Sequence, residues 1–292
     1  ETPASVERIG LGIALALAGL FCMAVMDVCA KVLGADYAIS QVVLLRNGIG
    51  AVLVLLFVAA TSGGLASLKP RRPGLLLLRS CGNIGAAYLF FSGLRYLPLA
   101  DAFAIAFAAP LFVTALSVPM LGEQVGLRRW AAVIFGFVGV VVVVQPGSAS
   151  FQPAALLPLG AALSYALAIL LGRRLTRDHT TPAMMFWSSL AAVAAMLLLM
   201  PLPWQTPALP DAGIFLFMGV VGTLGMALVT QGYRFAPAAV IAPFDYSVLI
   251  WGVIFGWVLW QDVPGPNVWL GSGLLIASGL YILHRERRLA GA

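Results

Sequence analysis

From residue 9 to residue 284 the chain is a succession of ten apolar runs broken by short polar connections, and no other feature limits its fold as much. A membrane-spanning helix needs about 20 mostly apolar residues, each adding about 1.5 Å across a hydrocarbon core of roughly 30 Å. The runs fall near residues 9–32, 39–60, 74–94, 99–120, 129–145, 154–172, 182–200, 213–232, 238–260 and 268–284. They are continuous rather than alternating, which excludes a transmembrane β-barrel, whose strands need a polar residue at every second position. Of all residues 61% are hydrophobic and only 10% charged, against about 25% charged in a soluble domain. The expected fold is an all-α membrane protein of ten transmembrane helices.

The charges set an orientation. If the N-terminus lies on one side, ten spans return the C-terminus to it, and that side collects Arg8, Lys69, Arg71, Arg72, Arg128, Arg129, Arg173, Arg174, Arg177, Arg234, Arg285, Arg287 and Arg288. The other side has Lys31 and Arg95, while Arg46 and Arg79 lie within spans. The positive-inside rule places both termini in the cytoplasm. The net charge of +6 is thus a topology signal, and no nucleic-acid partner is expected. No signal peptide is expected either, since the first apolar run is too long for one. Cys22, Cys29 and Cys81 all sit in apolar runs and read as small buried hydrophobes.

Sliding the sequence along itself by 139 residues brings Gly93 onto Gly232, Arg95 onto Arg234, Pro98 onto Pro237, Glu123 onto Asp262 and Trp130 onto Trp269. Leucines match by chance in such a chain; an arginine, a proline, an acid and a tryptophan in one register do not. The reading is two five-span units, 1–145 and 146–292. Five is odd, so the second unit must enter the membrane upside down. Inverted repeats of this kind favour alternating access around a site near the midplane.

The Leu97-Pro98 helix entry, the Leu121-Gly122-Glu123 end of the fourth span and Gly136/Gly139 in the fifth resemble the EamA repeat of the drug/metabolite transporter superfamily. Gln261-Asp262 and Gly271/Gly273/Gly279 repeat the pattern in the second half. The resemblance covers nearly the whole chain and implies a 5+5 transporter of the bacterial inner membrane. Within the superfamily the chain is similar to the YddG-type exporters, which implies outward movement of aromatic and other neutral amino acids. A multidrug or nucleotide-sugar carrier of the same fold is the alternative, and a membrane scaffold or enzyme a more distant one.

Catalysis finds little support. His179 and His284 show no metal-ligand spacing, no nucleophile, phosphate-loop or zinc motif occurs, and neither metal nor cofactor is expected. A small-molecule substrate and the lipid bilayer are the expected partners, and one chain, a monomer, can supply every contact of a pathway. Polar residues deep in the spans are the candidate substrate contacts: Asn83 and Tyr88, Ser164 and Tyr165, Trp187, Tyr246 and Trp251. Rings with polar handles stack on an aromatic ligand and orient it. Trp130, Trp204, Trp260 and Trp269 at span ends read instead as an interfacial belt. Pro110 and Pro243 are candidate hinges, since each removes a helix hydrogen bond. An unpaired charge inside the bilayer is costly, so Asp27 is expected to pair with Arg46 and Asp245 with Arg79, each pair latching one gate. No acid stands at a span centre, which favours facilitated export, with proton antiport the alternative.

Overall fold

The computed structural model describes residues 3–60, 64–70, 72–149, 151–175, 180–199 and 204–290. His179 and the turns at 61–63 and 201–203 lie outside them. The elements are α1 (Pro3–Asp36), α2 (Ile39–Ala60), α3 (Pro73–Leu94), α4 (Leu99–Ala106), α5 (Ala109–Leu121), α6 (Leu127–Val144), α7 (Leu156–Leu175), α8 (Thr181–Leu199), α9 (Leu209–Phe235), α10 (Ala238–Ile241), α11 (Ser247–Trp260) and α12 (Pro266–Ala290), with short 3-10 turns between some of them. They make ten helical segments long and apolar enough to cross a membrane, and no strand occurs among the described residues.

Two segments are broken. The fourth turns at Phe107–Ala108 between α4 and α5, and the ninth passes through a 3-10 turn, Ala242–Tyr246, between α10 and α11. Pro110 and Pro243 each stand in the first turn of the element after the break, where a missing N–H costs nothing. The prolines are not in equivalent positions, yet α4 and α10 begin 139 residues apart, as do the ends of α5 and α11 and the starts of α6 and α12.

The ends of the two broken segments share one construction. Gly122 and Gln261 both adopt left-handed backbone, φ 69° and 59°, and close their helices. The next residue reaches back six positions in each case: Glu123 N–H donates to Ser117 O and Asp262 N–H to Gly256 O. This is the Schellman arrangement, and it explains why a glycine is suited to position 122.

Helices cross closely where side chains are small, as expected without a hydrophobic drive between them in lipid. On α1, Gly12 and Gly19 lie against the backbone of Gly232 and Gly225 on α9. On α3, Gly82 and Gly93 lie against Ser164 and Pro158 of α7, and Gly139 of α6 meets Gly271 of α12. The partners thus come from opposite halves of the chain. The largest buried cluster collects Leu33, Tyr37, Ile39, Leu94, Leu97, Leu99, Val143, Phe215 and Val268. All lie near the turns opposite the termini, so the bundle is tightly packed on that far side and looser on the terminal side.

Candidate functional site

Packing decides which polar residues face inward. On α7 the exposed Leu156 and Leu163, seven residues apart, mark an outer face, whereas Tyr165 is 48% exposed roughly 160° around the helix from Leu163. Its charged neighbours are Asp245 and Arg79, from the ninth and third segments. Exposed surface on an inward face means an internal cavity, and Tyr165 lines it. Arg79 lies across Gly172 of α7, where a Cβ would meet its Nε at 3.1 Å. Its Nη1 donates to Ser188 Oγ at 3.0 Å, while Nε is enclosed without a partner. Tyr233 donates to Asp245 Oδ2 at 3.4 Å. Next to Asp245, the Tyr246 ring packs at 4.8 Å against Phe107, beside the break of the fourth segment. Its hydroxyl fits over Gly279, which has no side chain to obstruct it. Asn83, one turn from Arg79, has no hydrogen-bond partner among the described residues. One half-open cavity therefore presents a guanidinium, a carboxylate and several aromatic rings.

The remaining expected contacts lie elsewhere. Tyr88 shares the outward face of α3 with Leu77 and Cys81, all exposed, because the inward face is taken by Arg79 and Asn83. Ser164 is wedged into the α3–α7 crossing, with its hydroxyl 3.3 Å from where a Cβ of Gly85 would stand. Trp187 donates its indole N–H to Leu68 O at 2.7 Å and clamps the loop before α3. Trp251 stacks with Phe21 and Phe255 in the seam between α1 and α11, away from Gly252, which meets Phe103 of α4. Its indole N–H is enclosed and unpartnered.

Neither expected ion pair is closed. Arg79 bonds Ser188 and Asp245 accepts from Tyr233, because a hydroxyl stands nearer to each than the opposite charge does. Asp27 and Arg46 act on each other through space, but the Arg46 Nε turns to Met26 Sδ at 3.1 Å.

A set of groups that sequence reasoning missed closes the far side. Lys31, near the end of α1, donates to Leu97 O at 2.5 Å and Leu94 O at 3.2 Å, across the turn after α3. Its ammonium stands 5.2 Å from the centre of the Trp260 ring, and its charge is balanced by Asp101 on α4 and by Asp262. Trp260 is thus a seat for a cation, whereas Trp204 and Trp269 stay exposed as belt residues do. The only sequence signal was the isolation of Lys31 on a side almost free of basic residues. Nearby, Tyr37 donates to Asp211 Oδ2 at 2.7 Å and accepts from Ala208 N–H, joining the α1–α2 turn to the start of α9. The bond to Asp211 raises the Tyr37 pKa above its ordinary value.

The sequence matches the EamA-like transporter family twice, over residues 10–145 and 152–284. It is 32% identical to a riboflavin transporter of Vibrio cholerae, the match covering 82% of this chain and 80% of that protein. An S-adenosylmethionine uptake transporter of Rickettsia bellii is 26% identical over 97% of both chains. A pseudopaline exporter of Pseudomonas aeruginosa is 28% identical over 95% of this chain and 97% of the exporter. A crystal structure of a protein 19% identical in sequence has the same fold, with a TM-score of 0.64 over 95% of this chain and 98% of that one.

Proposed function

Because this chain belongs to the EamA-like transporter family and is a multi-pass protein of the bacterial inner membrane, we propose that it exports small zwitterionic metabolites carrying an aromatic ring, aromatic amino acids among them, by alternating access. The observation that carries this reading is the cavity in which Tyr165 stands between Arg79 and Asp245. An α-carboxylate suits the forked guanidinium, an ammonium suits the carboxylate, and Tyr165, Tyr246 and Phe107 offer ring faces to an aromatic side chain. Tyr233 and Asn83 complete the polar lining. Sugar nucleotides fit less well, since Arg46 and Arg79 are the only cations within the spans away from the far-side seal.

The cycle follows from the two five-helix units, 1–145 and 146–292, taken as inverted repeats. Element boundaries 139 residues apart and the paired helix caps at Gly122 and Gln261 support that division. With thirteen basic residues on the terminal side, that side is cytoplasmic and the tightly packed side periplasmic. The conformation is then open to the cytoplasm. The breaks after α4 and α10, with Pro110 and Pro243, serve as the hinges about which the two sides exchange. Transport is facilitated and follows the substrate gradient, and one chain holds the whole pathway.

Cargo is tested by counterflow into proteoliposomes of the purified protein, with labelled phenylalanine, threonine, riboflavin, S-adenosylmethionine and a sugar nucleotide in separate arms. Phenylalanine is expected to exchange faster than threonine, and the sugar nucleotide not at all. Exchange of riboflavin alone removes the amino-acid reading and keeps a carrier; no movement of any solute removes transport.

A further inference from the structure

Asp27 and Arg46 are charges in the far half of the bundle. Asp27 lies nine residues from the end of α1 and Arg46 seven from the start of α2, hence roughly 10–14 Å below the far-side turns. Asp27 is 93% buried, and its carboxylate has no hydrogen-bond or ion-pair partner among the described residues. Its oxygens are not sealed in, for they are absent from the enclosed, unpartnered atoms of the structure, which are instead on Arg79, Arg129, Ser247 and Trp251. Arg46 spends only Nε, on the Met26 sulfur, and its guanidinium carbon stands 5.7 Å from the centre of the Phe91 ring. Nη1 and Nη2 make no hydrogen bond within the protein. The seat is shaped for this arrangement: a Cβ on Gly222 would meet Met26 Sδ at 2.5 Å and Arg46 Nε at 3.6 Å.

Opposite charges in a low-dielectric interior gain most by closing on one another, and a buried charge left open costs several kcal/mol. Here each acts on the other through space without contact. A pair serving only to neutralise itself, or to latch two helices, would be closed in the state where this side is shut. An open pair is completed by a ligand that brings both opposite charges, an ammonium for Asp27 and a carboxylate for Arg46. We infer that Asp27 and Arg46 form a second station for the zwitterionic head of the substrate, on the periplasmic half of the pathway and beneath the Lys31 seal. The substrate passes from Arg79 and Asp245 to Arg46 and Asp27, with Phe91 offering a ring face beside the second cation. This rests on the proposed export of zwitterions; it adds where the head group goes after the cytoplasmic site.

The test uses three ligands of one shape: phenylalanine, phenethylamine without the carboxylate, and 3-phenylpropionate without the ammonium. Added at the periplasmic face of oriented vesicles, phenylalanine is expected to inhibit wild-type counterflow at least tenfold better than either analogue, the share that one charged hydrogen bond contributes. Asp27→Asn is expected to erase the advantage over 3-phenylpropionate and keep that over phenethylamine; Arg46→Gln is expected to do the reverse. Equal loss for all three ligands in both variants indicates packing and overturns the station. Wild-type protein supplies an arm that does not depend on the variants folding: labelling of Asp27 by an apolar carbodiimide, located by peptide mass. Phenylalanine is expected to slow that labelling at least fivefold and 3-phenylpropionate not to. If phenylalanine is transported yet leaves Asp27 labelling unchanged, the station is wrong and the transport reading stands. If wild-type protein does not move phenylalanine, it is the transport reading that falls.

Discussion

Replacing Lys31 with methionine keeps most of the aliphatic stem and removes the ammonium that joins α1 to the carbonyls of Leu94 and Leu97 and to the Trp260 ring. A hydrogen bond from a charged donor contributes about 1.5–3 kcal/mol and a partly desolvated cation–π contact about 1 kcal/mol. Lys31 is only half buried and regains water when the far side opens, so the net bias toward the closed state is about 2 kcal/mol. That is about a 30-fold change in the open-to-closed ratio. The assay places a cysteine at Val43, fully buried on the far side, in a background with Cys22, Cys29 and Cys81 replaced. Its reaction with an impermeant thiol reagent applied from the periplasm is then timed. The Lys31→Met background is expected to raise the rate by about 30-fold while the subunit remains inserted. An unchanged rate refutes the reasoning and assigns closure to the apolar contacts of Leu33, Leu94, Leu97 and Leu99 alone.

Tyr165→Ala and Tyr246→Ala are expected to slow export of phenylalanine and tryptophan about 3- to 10-fold more than that of threonine, the worth of a lost ring contact, while Tyr88→Ala and Trp187→Ala leave the ratio near wild type. Gly279→Ala puts a methyl group on the Tyr246 hydroxyl and must move that ring off Phe107, so aromatic export falls, with Gly273→Ala, which has open space, as the control in the same uptake assay. Tyr37→Phe keeps the ring against Phe215 and removes a hydroxyl that both donates to Asp211 and accepts from Ala208; a loss of about 1–2 kcal/mol is expected, read as a lower Tm in detergent.

The ten spans were legible because burying a backbone in hydrocarbon demands long apolar helices, and that demand is written in every run. The break near Pro110 was legible for the same local reason. Which way a side chain points was not. Tyr88 and Tyr165 look alike in sequence, each a tyrosine in the middle of an apolar span, yet one faces outward with Leu77 and the other into the cavity. The difference lies in which neighbour each helix packs against, a long-range property set by glycines such as Gly82 and by residues on the other half of the chain. The expected ion pairs failed for a related reason. Charge depth gives a distance along the membrane normal and none around the bundle, and Ser188 or Tyr233 can stand nearer than the opposite charge.

The two gates differ, although inverted repeats would make them alike. Under the 139-residue shift Lys31 falls on Leu170, Asp101 on Val240 and Trp260 on Leu121. The far side is therefore sealed by a cation bound to carbonyls, ring and acids, whereas the equivalent positions on the terminal side are apolar. Leu170 is fully buried already, in the state where its side is the looser one. On the proposed orientation the periplasmic seal has bonds with no counterpart on the cytoplasmic side, and with no ligand bound the balance rests toward the cytoplasm-open state. Closing that side then requires differential binding of the substrate, which must hold α3, α7 and the 3-10 turn at Asp245 together more tightly in the closed state than in the open one. A zwitterion spanning Arg79 and Asp245 does this, since the first charge is carried by α3 and the second by the hinge of the ninth segment. A ligand with only one of the charges holds one side of the cavity and leaves the other free. The same two residues that recognise the head group thus gate the cycle, and export remains silent until cytoplasmic substrate arrives.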